Sequence, residues 1–295
     1  MKTNYYSVGD HSFHISMPEK DIELMLSTFT PFQIDCDNTE EVLFKISSDS
    51  SLRPSSEGEH IGCFDCGNAI FDIYIKRNKG YRFLISPPGL GLCGILETSH
   101  NFTIGKINYR GKSDSKHLAV NNAIMLMYAF AATRHNTLLI HASVVMNKGN
   151  GYLFIGKSGA GKSTHSRLWL ENIKGSELIN DDNPVIRVYK NNQIKVFGSP
   201  WSGKTPCYKQ LSTPVKAIVR INKDIENKIV RETPAGAFAS LLPTVSTMKW
   251  DDDLFSKLCD TISTIISVVP VFKLNCKADH DAAKVCFNAI SSNKI

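Results

Sequence analysis

The pattern of hydrophobic and polar positions divides the chain into two parts. In residues 1–115, short runs alternate apolar with polar residues or are rich in β-branched residues. This period of two is typical of β-strands. The clearest runs are 42–46, 69–75 and 81–85. Residues 78–80 predict a hairpin turn, and residues 19–27 predict a short helix. The first part is therefore expected to be β-rich.

The second part predicts alternating helices and strands. It opens with a helix over 116–134, which is apolar around most of its circumference and so predicted to be buried. Strands are expected at 138–146, 151–155, 185–189, 194–197 and 217–221. Further helices are expected at about 164–172, 234–242, 252–268 and 279–291. Asp251 and Asp279 are suitable N-caps for the last two. We therefore expect two domains, a β-rich one over 1–115 and an α/β one over 116–295.

Composition and charge narrow the class of protein. Hydrophobic residues make up 42% and charged residues 21%, as in ordinary globular domains. The net charge of +6 is not gathered into a basic tract, so no nucleic-acid partner is expected. The apolar run 123–132 is about half the length of a membrane span, so no membrane partner is expected. No apolar signal core follows the N-terminus, which favours a cytoplasmic location.

The eight cysteines are dispersed, which does not favour a disulfide framework. Cys63 and Cys66 form a lone Cys-x-x-Cys. Neither a second pair nor suitably spaced histidines accompany it, as a zinc site would require. We interpret both as reduced thiols at a strand end.

The segment 156–163, Gly-Lys-Ser-Gly-Ala-Gly-Lys-Ser, fits the P-loop pattern at every fixed position. Glycines let backbone N–H groups point at phosphate oxygens, and the following helix adds its positive dipole end. Lys162 would place its charge on the β- and γ-phosphates, and Ser163 would offer a hydroxyl to Mg²⁺. The residues predicted to bind the nucleotide are Gly156, Lys157, Ser158, Gly159, Ala160, Gly161, Lys162, Ser163 and Thr164. ATP with Mg²⁺, or alternatively Mn²⁺, is the implied ligand.

A second segment, 198–205, also fits the pattern but predicts a different loop. Pro200 removes one N–H from any phosphate cradle, and Trp201 is bulky where backbone should approach phosphate. We interpret 198–204 as an acceptor-side or lid element, with glycines at both ends that permit hinge motion. Lys204 could stabilise charge on the transferring group. The alternative is a Pro-Trp turn packed on the core with an exposed lysine.

A tight turn separates the predicted strands 138–146 and 151–155, which makes them antiparallel. If the turn centres near 148–149, the numbers of paired residues sum to about 297. His141 then faces Gly156, at the mouth of the phosphate loop, and can assist near phosphates or metal. The alternative is a histidine that only fills the core.

Paired carboxylates follow the phosphate loop. Asp181 and Asp182 come at the end of a segment that begins with a short apolar stretch. One carboxylate can bind Mg²⁺ and the other can accept the proton of an attacking hydroxyl. A solvated acidic turn is the alternative.

Taken together, His141-Ala142-Ser143, the phosphate loop and Asn180-Asp181-Asp182 resemble the core of HPr kinase/phosphorylase and of the phosphoenolpyruvate carboxykinases. The resemblance covers about residues 135–200. It implies an α/β fold, with a mixed-sheet P-loop kinase core of that type preceded by a smaller β-rich domain. It also implies that one Asp is the catalytic base and that an Asp and Ser163 hold metal. We favour Asp181 for metal and Asp182 for the base.

The sequence departs from both families. The glycine- and isoleucine-rich signature of HPr kinase is not recognisable, so HPr is not the expected acceptor. The chain is too short for a carboxykinase and lacks a convincing oxaloacetate-binding arginine set. It looks more like the small stand-alone HPr-kinase-related kinases of bacteria.

The expected reaction transfers the γ-phosphoryl group of ATP to a hydroxyl, such as a serine of a protein or peptide, or a small molecule. The predicted catalytic residues are Asp182, His141, Lys162 and Lys204. Two alternatives stay open, a non-catalytic ATP-binding sensor and a phosphorylase or hydrolase of a phosphoserine. A homo-oligomer is also open.

Overall fold

The computed structural model describes residues 1–35, 42–77, 80–203 and 205–291. The chain divides into two compact units, Met1–Ala132 and Thr133–Ile295. The domain limit expected from the sequence was 115/116. The structural division falls after Ala132, one residue before the end of the long helix Ser113–Thr133, so nearly all of that helix belongs with the β-rich unit.

In its described residues, the first unit is a sheet of short strands with two α-helices. In chain order, its elements are β1 Lys2–Val8, β2 His11–Met17, α1 Glu19–Met25, β3 Gln33–Ile34, β4 Lys45–Ser48, β5 Glu59–Asp65, β6 Ile70–Lys76, β7 Gly80–Ser86, β8 Gly94–Thr98, β9 Ile104–Tyr109 and α2 Ser113–Thr133. Within the described ranges they form a nine-stranded sheet, in the order β3-β1-β2-β4-β9-β8-β7-β6-β5. The β2–β4 and β4–β9 pairs are parallel, and the other pairs are antiparallel.

Several predicted elements of this unit are present. The runs 69–75 and 81–85 form β6 and β7, the run 42–46 overlaps β4, and the helix predicted at 19–27 is α1. Helix α2 buries residues around much of its surface, as its apolar sequence indicated. The predicted turn at 78–80 falls mostly on residues 78 and 79, which lie outside the described ranges. Cys63 and Cys66 are exposed, free thiols.

The second unit is a mixed α/β structure. Its elements are β10 Thr137–Leu139, β11 Ala142–Asn147, β12 Asn150–Ile155, α3 Lys162–Asn172, β13 Ser176–Asn180, β14 Val185–Val188, β15 Ile194–Phe197, β16 Ser212–Lys223, β17 Lys228–Arg231, α4 Pro234–Leu241, α5 Asp252–Val268, β18 Val271–Cys276 and α6 His280–Ser291. The strand order is β10-β14-β15-β16-β12-β11-β13, and β18 joins β16 to β17. Strands β12, β16 and β18 run parallel, whereas β11–β12 is an antiparallel hairpin.

Helices cover both faces of this sheet. Its central strands therefore bury alternate residues on opposite sides. Leu153 on β12 belongs to a core cluster with Leu258 and Ile262 of α5. Phe154, its neighbour, belongs to a second cluster with Trp169 of α3 and Cys286 of α6. The predicted caps are present, since Asp251 accepts from the Leu254 N–H at 3.0 Å and Asp279 from the Ala282 N–H at 2.9 Å. In the described part of the chain, every helix is too short or too polar to cross a bilayer.

Candidate functional site

The strand predicted over 138–146 is broken at His141. Strand β10 pairs with β14, and β11 pairs with β12 and β13. In the gap, the Ile140 N–H donates to Pro184 O at 3.1 Å and the His141 N–H to Thr244 O at 2.6 Å. The prediction of one continuous strand was wrong. An apolar run indicates that the residues are buried, but it does not show that the segments before and after His141 pair with different strands. The break leaves the imidazole half-exposed at the end of the sheet.

The register of the β11–β12 hairpin agrees with the predicted one. Ala142 pairs with Ile155, and Asn147 pairs with Asn150. Lys148 and Gly149 form the turn at φ 49° and 72°. Two positive φ values in a two-residue loop are those of a turn whose twist matches the flanking strands. The hairpin therefore carries the start of β11 to the level of the glycine loop, which we define as residues 156–163.

The glycine loop joins β12 to α3. Gly156, Gly159 and Gly161 have φ values of 148°, 75° and 104°, a region that side chains disfavour. A Cβ on Gly156 would also lie 3.0 Å from Ile221 O. Helix α3 begins at Lys162, and the first amides of a helix have no intrahelical acceptor. These amides and the helix dipole together suit an anion.

Lys162 is buried at the start of α3 and connects the loop to His141. Its Nζ lies 3.1 Å from Gly156 O and 2.8 Å from His141 Nε2. Burial lowers the pKa of Lys162, while the charges of Asp182 and Asp181 act in the opposite direction. Because an ammonium group only donates, His141 Nε2 is the acceptor. The imidazole proton is therefore assigned to Nδ1.

Asp182 completes this chain of contacts. Its Oδ1 lies 3.0 Å from His141 Nδ1, within hydrogen-bonding distance. The Ala142 N–H donates to Asp182 O at 2.9 Å, which ties the aspartate to the start of β11. Asn183 Nδ2 donates to Asp182 Oδ2 at 2.8 Å. The carboxylate is 31% exposed, so a substrate can reach it. The sequence-predicted residues Lys162, His141 and Asp182 thus meet in one place.

Asp181 differs from Asp182 in its environment. It is 5% exposed, and within the described ranges neither carboxylate oxygen has a hydrogen-bond partner. A buried carboxylate without a partner is costly unless a cation accompanies it. This orphaned group fits a metal ion.

The described residues contain no group of three or more His, Cys, Asp or Glu side chains placed to hold a metal. The Asp181 carboxylate is one candidate oxygen donor, and Ser163, an exposed residue on the first turn of α3, carries another. Mg²⁺ prefers oxygen ligands and often keeps waters and substrate phosphates in its shell, so such a small protein donor set suits it.

The loop of residues 198–203, hereafter the 198–203 loop, lies against the two aspartates. A Cβ on Gly203 would lie 2.9 Å from Asp181 O and 3.3 Å from Asp182 Cβ. A Cβ on Gly198 would lie 2.0 Å from Lys209 O. Both glycines therefore serve close backbone packing, whereas the sequence suggested hinges. Trp201 is buried, as in the packed-turn alternative. Lys204 lies outside the described residues.

A buried polar cluster supports α3 behind the glycine loop. Ser166 Oγ lies 2.5 Å from Ser143 Oγ on β11, and Trp169 Nε1 donates to His165 Nε2 at 3.1 Å. Burial lowers the pKa of His165 from 6.5 to about 4. This histidine is therefore neutral at physiological pH.

The chain was compared with protein families and with solved structures. Residues 103–279, more than half of the sequence, match the family described as SynChlorMet cassette protein ScmC. The chain belongs to the ScmC family. No curated protein matches this ScmC-family chain. The solved structure of the Hpr(Ser) kinase/phosphatase from Coxiella burnetii is similar over 52% of this chain and 93% of that chain, at 15% identity and a TM-score of 0.30. A likeness this distant says nothing about activity.

Sequence reasoning did not predict the hydrogen bonds by which three further residues of the ScmC-family chain support the site. Thr244 holds the backbone of His141, and Asn180 and Ser199 hold the 198–203 loop. Asn180 directly precedes the predicted aspartates. Asparagine is also common in turns, so the residue type alone does not show that its side chain holds the 198–203 loop. Thr244 is over a hundred positions from His141 along the chain, so no local pattern could connect them.

Proposed function

We propose that this ScmC-family protein binds ATP with Mg²⁺ at the glycine loop and transfers the γ-phosphoryl group to a hydroxyl. The observation that carries the proposal is the contact chain from Lys162 through His141 to Asp182. Its distances are 2.8 Å from Lys162 Nζ to His141 Nε2 and 3.0 Å from His141 Nδ1 to Asp182 Oδ1. A phosphate-binding cation and a half-exposed carboxylate therefore lie within one imidazole of each other. Catalysis of phosphoryl transfer rests on positioning and charge stabilisation, for which a cation and a carboxylate placed this way are suited.

Each residue then has a defined role. The loop amides and Lys162 hold the phosphates, and Ser163 and Asp181 hold the metal. When bound, Mg²⁺ would neutralise negative charge on the phosphates. Asp182 accepts the proton of the acceptor hydroxyl. The hydroxyl oxygen bonds to the γ-phosphorus while the bond from that phosphorus to the leaving ADP oxygen breaks. His141 orients Asp182 through Nδ1. Lys204 remains a proposed contributor on the acceptor side.

The test is a screen with γ-labelled ATP. Purified protein is incubated with serine, serine-containing peptides and cell extract, and the labelled species is identified. We expect label on a hydroxyl of one acceptor. Tight ATP binding without transfer to any acceptor would favour the sensor alternative. Formation of pyrophosphate from inorganic phosphate and a phosphorylated product would show the phosphorylase alternative.

Nucleotide binding is tested with Lys162→Ala. The variant loses a charge-assisted contact of about 1.5–3 kcal/mol, so ATP affinity should fall by about tenfold to a hundredfold. Lys190→Ala removes the same charge from an exposed turn and is the matched control. Affinity is measured by titration calorimetry with Mg·ATP. Unchanged affinity and activity in Lys162→Ala would overturn the assignment of the loop.

A further inference from the structure

Asn180 connects the aspartate pair to the 198–203 loop. It is the last residue of β13 and is fully buried. Its side-chain Oδ1 accepts the Asp182 N–H at 2.9 Å. Its Nδ2 donates in the other direction, to Ser199 Oγ at 3.2 Å, Ser199 O at 3.4 Å and Trp201 O at 3.2 Å. One amide thus holds the backbone of the candidate base and the loop beside it.

Ser199 strengthens this connection from the loop side. It is fully buried, its Oγ donates to Asn183 O at 2.6 Å, and it accepts the Trp201 N–H at 3.2 Å. The loop is therefore attached to both residues that flank the aspartate pair, Asn180 and Asn183. Together with the close approach of Gly203 to Asp182, these bonds make the loop a fixed surface.

We propose that Asn180 is a positioning residue, which holds the 198–203 loop as a fixed wall on the acceptor side of Asp182. The proposal rests on the proposed function, because it assigns the wall to the site of phosphoryl transfer. An amide suits this place, since its oxygen accepts an N–H while its NH₂ group donates to carbonyl oxygens. A carboxylate at position 180 keeps the acceptor but loses every donor. The wall then comes loose while the glycine loop is untouched.

The experiment compares Asn180→Asp with Asn147→Asp. Asn147 is also a buried asparagine, whose Nδ2 donates to Lys174 O at 3.0 Å and to Ser176 Oγ at 3.1 Å, at the far end of β13. Hydrogen exchange is followed by mass spectrometry across the whole protein. In Asn180→Asp, amides of the 198–203 loop should exchange about tenfold faster or more. In Asn147→Asp the loop should keep wild-type protection.

The second measurement separates positioning from general loss of structure. Mg·ATP affinity and the rate of ATP hydrolysis, with water in place of the acceptor, are determined for both variants. Asn180→Asp should bind Mg·ATP within about threefold of wild type but turn over about tenfold more slowly or worse. Asn147→Asp should match wild type in both. Unchanged loop exchange, or loosened exchange with wild-type turnover, would overturn the proposal.

A milder variant keeps the test decisive if Asn180→Asp does not fold. Ser199→Ala removes one acceptor of Asn180 and the bond to Asn183 O without burying a new charge. We expect a smaller rise of loop exchange, about threefold to tenfold, and a matching fall in turnover. Wild-type exchange in Ser199→Ala would overturn the proposal. Failure of wild-type protein to bind Mg·ATP would instead refute the proposed function, because the exchange measurements need no nucleotide.

Discussion

At the scale of single residues, the proton on His141 is fixed by its two neighbours. Lys162 occupies Nε2 and Asp182 faces Nδ1. A neutral imidazole with its proton on Nδ1 satisfies both contacts, whereas a protonated Nε2 would face the Lys162 ammonium. In the proposed reaction, the contact at Nδ1 would let His141 orient Asp182 while Lys162 binds phosphate.

The first prediction concerns Asp182. Asp182→Asn keeps the size of the side chain but removes the proton acceptor, so turnover should fall by about 10²–10⁴-fold. Mg·ATP affinity should change little, because the glycine loop is not altered. Asp260→Asn, an exposed change on α5, is the control for loss of one negative charge. Calorimetry and single-turnover kinetics separate the two effects. Equal losses of binding and turnover would show that Asp182 serves the metal rather than the acceptor.

The second prediction concerns His165. Since its pKa falls from 6.5 to about 4 on folding, the unfolded chain binds this proton more tightly. The stabilisation is complete above pH 6.5 and is lost as the pH falls toward 4. Between pH 7.5 and 5, the free energy of unfolding should drop by about 2 kcal/mol from this group alone. In His165→Gln, which keeps an acceptor for Trp169, this part of the drop should vanish.

Urea unfolding at several pH values checks the His165 prediction. The three tryptophans, Trp169, Trp201 and Trp250, all belong to the second unit, so their fluorescence follows its unfolding. An equal pH dependence in wild type and His165→Gln would contradict the prediction.

At the scale of secondary structure elements, local patterns predicted those parts of the site that are set by neighbours in sequence. The β11–β12 register followed from turn residues and alternation, and the glycine loop followed from its spacing. The same patterns did not predict β13, β17 and β18 as strands. Nor did they predict the break at His141, because the break depends on Pro184 and Thr244, which arrive from other elements. Tertiary hydrogen bonds overrode the apolar run there.

The third prediction tests the backbone geometry of the glycine loop. Gly156→Ala places a methyl group at φ 148°, 3.0 Å from Ile221 O and 3.2 Å from Ala160 Cβ. Strain of this kind costs about 1–3 kcal/mol, and relief by movement of the loop should lower Mg·ATP affinity about tenfold or more. The control is Gly149→Ala in the hairpin turn, where φ is 72° and the new methyl group meets nothing within 4 Å. It should cost about 1–2 kcal/mol in stability and leave affinity unchanged. Equal affinities in the two variants would contradict the assignment of Gly156 to the phosphate cradle.

At the scale of the whole molecule, the described candidate site residues are concentrated in one unit. All predicted site residues that the structure describes lie between His141 and Asp182, within Thr133–Ile295. That unit has core clusters on both faces of its sheet, which contain Val144 and Val145 of the same strand on opposite sides. The hydrophobic pattern predicted a β-rich part and an α/β part with a limit at 115/116, whereas the two compact units divide after Ala132, near the end of helix α2.

The last prediction follows from this concentration. A fragment of residues 133–295 contains its own hydrophobic cores and the complete candidate site, so it should unfold cooperatively and bind Mg·ATP within about threefold of the full chain. Tryptophan fluorescence in urea and calorimetry check both properties, and the same fragment with Lys162→Ala is the control. A folded fragment without nucleotide affinity would mean that residues 1–132 contribute to the site. In that case the prediction that residues 133–295 suffice for nucleotide binding would be wrong. Normal affinity would show that residues 1–132 are not needed for nucleotide binding.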